Sequence, residues 1–247
     1  AQVLYAGLNY PGTLGYVGAI SLRDGSVHPI RNIRGPRIYS VTSMAFDPKG
    51  RTLFYTADNA GLRDLMRLDP STGRERMLFK DLRAGDLAFN RADASLWGIR
   101  TFNGICTLIR IAAPYTEWKQ VYSWPYGEVV YDLDVSPDGT QLVLAHGEIN
   151  GQQTLRVIPV SALLRGDATA TLLFTLGTAI PSNFTFSPDG RHLYGSSYYT
   201  GVSNIFRFDL ATKEMQALTN SETGFFQPTL MPDGSLLVFR YTGDGFV

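Results

Sequence analysis

Five polar residues recur at one place in a repeated phrase of this chain: Ser43, Asp86, Asp132, Asn183 and Gln227. Each stands three residues before the last apolar residue of a short apolar run. The residues that follow them, Met44, Leu87, Leu133, Phe184 and Pro228, are all apolar. If each run is a strand, period-two alternation sends the two sets to opposite faces. Equivalent positions of a circular repeat form a ring, so the polar set is a candidate binding site at the mouth of a central channel. Two carboxylates facing one channel, Asp86 and Asp132, repel each other and favour a positive guest. The same residues also suit a structural part, satisfying inner-strand backbone groups and channel water. The sequence leaves both readings open.

Other chemistry is sparse. The string nearest to a nucleophile elbow, Gly195-Ser196-Ser197-Tyr198-Tyr199, lacks the closing glycine and falls in a strand pattern. The three histidines, His28, His146 and His192, occupy different places in their repeats and are expected at surfaces or edges. Asp132-Leu133-Asp134-Val135-Ser136-Pro137-Asp138-Gly139 resembles a calcium loop in composition, yet a proline stands where the sharp-turn glycine belongs. No paired-cysteine, His-Glu-x-x-His or phosphate-loop pattern is present. Cys106, the one cysteine, lies in an apolar run and is expected as a small buried hydrophobe. Asn183-Phe184-Thr185 fits a glycosylation acceptor but falls on an expected inner strand. The reading therefore assigns no catalytic residue, no metal ligand and no cofactor.

The elements that position the polar set follow from a turn phrase. Its copies are Phe46-Asp47-Pro48-Lys49-Gly50, Phe89-Asn90-Arg91-Ala92-Asp93, Val135-Ser136-Pro137-Asp138-Gly139, Phe186-Ser187-Pro188-Asp189-Gly190 and Leu230-Met231-Pro232-Asp233-Gly234. Their third residues, at 48, 91, 137, 188 and 232, are 43, 46, 51 and 44 apart. A period of ~40–50 residues holding several short strands marks a β-propeller. In the fourth complete copy, His192–Ser196 reads as a second strand, Asn204–Asp209 alternates as a third, and Met215–Thr219 forms an outer strand. Each unit is thus four antiparallel strands, one blade. The third copy is longer, and Ser161 is expected to cap a helical turn that Gly166 ends.

The expected fold is all-β: one propeller domain over 1–247, in five or six blades. Four blades are complete, at about 39–84, 85–130, 131–180 and 181–225, and partial blades lie at 1–38 and 226–247. The first lacks its leading strand and the last its closing ones, so the chain reads as a piece of a longer protein. Lysine plus arginine and aspartate plus glutamate number 22 each, giving zero formal charge. That balance argues against nucleic acid and against electrostatic membrane binding. No apolar run approaches the ~20 residues of a membrane helix.

The phrase Phe186-Ser187-Pro188-Asp189-Gly190-Arg191-His192-Leu193-Tyr194, followed by Asn204-Ile205-Phe206-Arg207-Phe208-Asp209, resembles the WD40-like repeats of the TolB family. It is equally similar to the propellers of the prolyl oligopeptidase and dipeptidyl peptidase IV family. The resemblance implies a non-catalytic module of a larger bacterial periplasmic or extracellular protein, binding a protein or peptide. The alternative it implies is a substrate-gating propeller of a serine peptidase whose catalytic domain lies elsewhere. The degenerate turn at Arg91-Ala92 and the insertion at Val157–Gly166 depart from the family pattern.

Overall fold

The computed structural model describes residues 3–10, 12–33, 41–59, 62–243 and 245–246. Ala1, the 34–38 end of the expected first blade and Val247 lie outside them. The described residues form six antiparallel sheets. The first has three strands, β1 (Val3–Leu8), β2 (Tyr16–Ser21) and β3 (Val27–Asn32). Four four-stranded sheets follow. They are β4 (Val41–Asp47) to β7 (Glu75–Phe79), β8 (Ala84–Asn90) to β11 (Lys119–Ser123), β12 (Val129–Val135) to β15 (Thr171–Thr175), and β16 (Pro181–Phe186) to β19 (Met215–Ala217). Between these bounds run β5 (Thr52–Asn59), β6 (Leu62–Leu68), β9 (Ser95–Phe102), β10 (Ile105–Ile111), β13 (Gln141–Gly147), β14 (Gln153–Pro159), β17 (His192–Ser197) and β18 (Asn204–Asp209). The last sheet holds β20 (Phe225–Leu230), β21 (Leu236–Thr242) and the two-residue β22 (Gly245–Phe246). In every sheet, strands adjacent in sequence are adjacent in space, which is the blade topology of a β-propeller.

The turn phrase folds for a local reason. Ser136 Oγ donates to Asp138 at 2.6 Å and accepts the Gln141 N–H at 2.9 Å. Ser187 repeats both bonds, to Asp189 at 2.6 Å and from the His192 N–H at 2.9 Å. The aspartates also accept the backbone N–H two residues on, from Thr140, Arg191 and Ser235. These bonds hold the Asp138 and Asp189 carboxyls below the ordinary range, the serine hydroxyl contributing most. The degenerate second copy uses Asn90 instead. Its Oδ1 accepts the Ala92 N–H, and its Nδ2 donates to the Gly139 carbonyl of the next phrase.

The chain divides into two compact units. Unit 1 comprises residues 1–89, 94–102 and 109–119; unit 2 comprises 90–93, 103–108 and 120–247. Unit 1 has two apolar cores. One gathers Val17, Leu53, Tyr55 and Leu68, with Tyr5 and Phe46 against it. The other gathers Phe54, Leu65, Leu87, Leu96, Ile109 and Tyr115, with Phe89 stacked 6.0 Å from Phe54. Unit 2 packs Val143, Leu155, Phe184, Leu193, Phe206 and Phe208, with Phe186 against them. Phe46, Phe89 and Phe186, one repeat position, are all partly buried.

Three sequence expectations need correction. The insertion forms a single helical turn, α1 (Val160–Leu163), but its N-cap is Pro159 and Ser161 lies inside it, so no side chain caps it. His146 is buried rather than at a surface, because β13 is apolar or small at every position from Leu142 to Ala145 and is enclosed along that length. The last blade gains a short third strand in β22. Cys106 is buried.

Candidate functional site

The structure places four of the five polar residues at one backbone feature, and Ser43 beside a related one. Asp86, Asp132, Asn183 and Gln227 all adopt positive φ, at 48°, 52°, 53° and 48°. Pairing with the second strand skips at the same place, between Tyr131 and Asp134, Ser182 and Thr185, and Phe226 and Thr229. In β4 the skip lies between Val41 and Ser43. Each of these is a β-bulge. The left-handed region tolerates asparagine and aspartate far better than β-branched or bulky apolar residues. Part of the shared polarity is therefore conformational in origin.

The side chains link successive inner strands. Within unit 1, Ser43 Oγ accepts the N–H of Leu87 at 2.6 Å. Within unit 2, Asp132 Oδ2 accepts the N–H of Asn183 at 2.7 Å, and Asp134 Oδ2 accepts that of Phe186 at 2.8 Å. Gln227 donates its N–H to Ser196 Oγ at 3.3 Å. Burial pushes the Asp134 carboxyl up to about 6, against the opposing pull of the Phe186 and Val135 amides and Arg91. Ser43, Asp86, Asp132 and Asn183 are partly buried and Gln227 is exposed. The apolar set lies opposite: Leu87, Leu133, Phe184 and Pro228 are buried.

Ser196, in the elbow-like string, is buried within β17 and engaged by the Gln227 amide, which suits a strand and not an elbow. His146 Nε2 meets Glu128 Oε2 at 2.8 Å, and its buried Nδ1 has no hydrogen-bond partner among the described residues. Among the described residues no three of His, Cys, Asp and Glu converge as a metal site.

Exposed apolar side chains gather on loops that the sequence reading did not single out. In unit 2, Tyr126 lies on the β11–β12 connection, Ile149 on the β13–β14 hairpin, and Tyr198 and Tyr199 on the β17–β18 hairpin. Tyr126 and Ile149 are each about three-quarters exposed. They are seated on glycines. A Cβ on Gly104 would stand 2.6 Å from Tyr126 Cε2, and one on Gly127 would stand 3.3 Å from Ile149 Cγ1. In unit 1, Phe102 and Trp118 are exposed and stacked with arginines, Arg83 and Arg100 on Phe102 and Arg100 on Trp118. The signal for these loops was available in Pro125-Tyr126-Gly127 and Glu148-Ile149-Asn150-Gly151: a bulky residue between turn residues.

TolB from Acinetobacter baumannii superposes with a TM-score of 0.78 at 17% identity, over 99% of this chain and 59% of that one. A TolB candidate from Agrobacterium tumefaciens superposes with a TM-score of 0.72 at 18% identity, over 91% and 77%. The fold is that of the TolB β-propeller. A structure from a study of two prolyl endopeptidases is also similar, with a TM-score of 0.58 at 11% identity, over 93% of this chain and 36% of that one. The chain thus spans less than two thirds of the A. baumannii TolB and about a third of the endopeptidase. No family model and no curated protein matches the sequence. At these identities the likeness to TolB carries the fold alone. In the described residues of this TolB-like propeller no helix is long and apolar enough to cross a membrane.

Proposed function

We propose that this chain is a non-catalytic propeller module that binds a protein or peptide partner through the loops joining its strands. It would work as part of a larger periplasmic or extracellular bacterial protein. The observation that carries the reading is the pair Tyr126 and Ile149, each about three-quarters exposed and seated on a glycine. Large apolar side chains held exposed on the connections between strands suit a binding surface, because their burial by a partner removes apolar area from water. The polar residues Ser43, Asp86, Asp132, Asn183 and Gln227 serve in this reading mainly to fasten successive blades, with ligand contact at a channel mouth as the subordinate role. The engagement of Ser43 and Asp132 with neighbouring amides supports that order.

The test is panning of a random peptide library on the full chain, followed by affinity measurements on Tyr126→Ser and Ile149→Ser. Enriched peptides should bind each variant at least tenfold more weakly. Peptides that bind both variants at parental affinity, or a library that yields no binder, would remove the reading. The similarity to prolyl endopeptidases favours a second reading, a propeller that gates a peptidase. It expects no loop dependence, and a changed substrate-length profile when the propeller is fused to a peptidase domain.

A further inference from the structure

One end of the β4–β7 sheet, within unit 1, carries a surface cavity of about 410 Å³. Four arginines line it: Arg51 from the β4–β5 turn, Arg67 from β6, Arg74 from the β6–β7 turn and Arg76 from β7. Among the described residues none of these four side chains pairs with a carboxylate or donates a hydrogen bond. Two carboxylates share the lining, Asp69 and Glu75, and both are committed elsewhere. Asp69 accepts the Ser71 hydroxyl at 2.6 Å, the Thr72 hydroxyl at 2.8 Å and the Ser71 N–H at 2.8 Å. Glu75 takes the Arg31 guanidinium on Oε1 and the Tyr55 hydroxyl on Oε2. The groups next to the lining keep the positive excess. Arg31 and Lys49 add two cations, while Asp47, which accepts the Lys49 and Gly50 amides, adds one carboxylate.

The sheet does not favour this arrangement by itself. Arg67 and Arg76 are direct partners across β6 and β7, so both side chains leave the sheet on one face. Like charges placed opposite each other repel and destabilise the pair. Arg67 is nevertheless held there, its guanidinium 5.9 Å from the Tyr115 ring centroid, and the Tyr115 hydroxyl donates to the Ala94 carbonyl at 2.9 Å. The turn that carries Arg74 is closed by backbone bonds: Gly73 N–H to the Asp69 carbonyl and Asp69 N–H to the Arg74 carbonyl, each 2.9 Å. An anion seated among these groups relieves the repulsion, and groups already held lose little freedom on binding it.

The charge and the size select the guest. Guanidinium forks match oxyanions. Four positive charges stand against two negative ones in the lining, so a guest with two negative charges balances it. A phosphate ester brings about two negative charges in one compact group at neutral pH, whereas a carboxylate brings one. The volume falls among small-molecule sites, which run from roughly 300 to 1,000 Å³. We infer that Arg51, Arg67, Arg74 and Arg76 form a binding site for a small phosphorylated ligand, a phosphate ester or a pyrophosphate. This site goes beyond the loop surface proposed above and does not rest on it.

Calorimetric titration of the full chain with pyrophosphate tests it, with succinate as the carboxylate control. Pyrophosphate should bind saturably, at least roughly tenfold more tightly than succinate, and its affinity should fall as salt is raised. R67Q and R76Q should each weaken it roughly tenfold, while R165Q, at an exposed position in unit 2, should leave it within about twofold. Thermal melts give a second readout. R76Q removes one of two opposed like charges, so without ligand it should melt no lower than the parent, and it should lose most of the rise that pyrophosphate gives the parent. If R67Q fails to fold by circular dichroism, because its contact with Tyr115 is lost, R76Q and R74Q decide. Absence of saturable pyrophosphate binding overturns the proposal. So does parental affinity in folded R76Q. Succinate binding as tightly as pyrophosphate overturns the assignment to phosphate.

Discussion

Asp132 accepts the backbone N–H of Asn183 across 2.7 Å, and the two residues hold the same place in successive repeats, both at positive φ on a bulge. One residue type thus answers two demands. It must tolerate the left-handed region, and it must offer an acceptor to the next inner strand. Asp132→Asn keeps both and should cost less than about 1 kcal/mol. Asp132→Ala loses both, and should cost roughly 2–4 kcal/mol from an unsatisfied amide plus backbone strain. Asp132→Gly relieves the backbone alone and should fall between. Urea midpoints of the three variants in that order would support the assignment; Ala matching Asn would remove it.

Asp134 sets a pH dependence. Its folded-state carboxyl is raised to about 6, above the ordinary value near 3.8. The folded state thus favours the protonated form. The associated stability is fully present below about pH 4 and is lost as pH rises to about 6, above which the penalty is constant. Asp134→Asn mimics the protonated group and still accepts from Phe186. It should raise the melting temperature at pH 7.5, by an amount equivalent to roughly 1–2 kcal/mol, and leave it near the parent at pH 4. A difference that is the same at both pH values would show that Asp134 titrates normally.

Phe184 is stacked directly on the backbone of Gly195. A Cβ at Gly195 would stand 2.3 Å from Phe184 Cδ2 and 2.4 Å from its Cγ. Phe184 is 1% exposed and cannot yield. Gly195→Ala should therefore destabilise by roughly 2–4 kcal/mol through overpacking. Adding Phe184→Leu should restore part of the loss, so that the double-mutant cycle shows strong coupling. Additive losses in thermal melts would mean that the contact is not the cause.

Gly104 supports Tyr126 from below while itself at φ of 76°. Gly104→Ala should displace the ring and weaken library-selected peptides several-fold, with a change in melting temperature of a few degrees at most. Quenching of Tyr126 by acrylamide, in a variant where competing surface tyrosines are removed, would report the displacement. An unchanged Stern–Volmer slope would count against the seating of Tyr126 on Gly104.

The fold was largely legible because its signal is repetitive. The Ser-Pro-Asp-Gly phrase marks the turn between first and second strands in the third and fourth complete blades by local hydrogen bonding alone, so Ser136-Asp138 and Ser187-Asp189 announce themselves. The polar positions were legible as a set, but the bulge behind them was not. A left-handed residue in a strand leaves no trace in hydrophobic period beyond a preference for Asp and Asn, and the same letters suit a binding ring. His146 misled because the strand pattern does not show that β13 is an interior strand of its sheet, covered by β12 on one side and β14 on the other. The cluster of Arg83, Arg100, Phe102 and Trp118 was invisible because its members come from the β7–β8 connection, strand β9 and the β10–β11 connection, which only the tertiary structure assembles.

The four clamps on backbone N–H groups described above run one way. Ser43 serves Leu87, Asp132 and Asp134 serve Asn183 and Phe186, and Ser196 serves Gln227: in each case the earlier blade supplies the oxygen and the later one the N–H. A ribosome makes the oxygen first. The blades that begin at β8, β16 and β20 therefore emerge to find a docking point already built. The two directions of trimming are consequently unequal. Removing a later blade exposes a carboxylate or hydroxyl that water solvates readily, whereas removing an earlier one strands an amide on a bulge that no strand neighbour can reach.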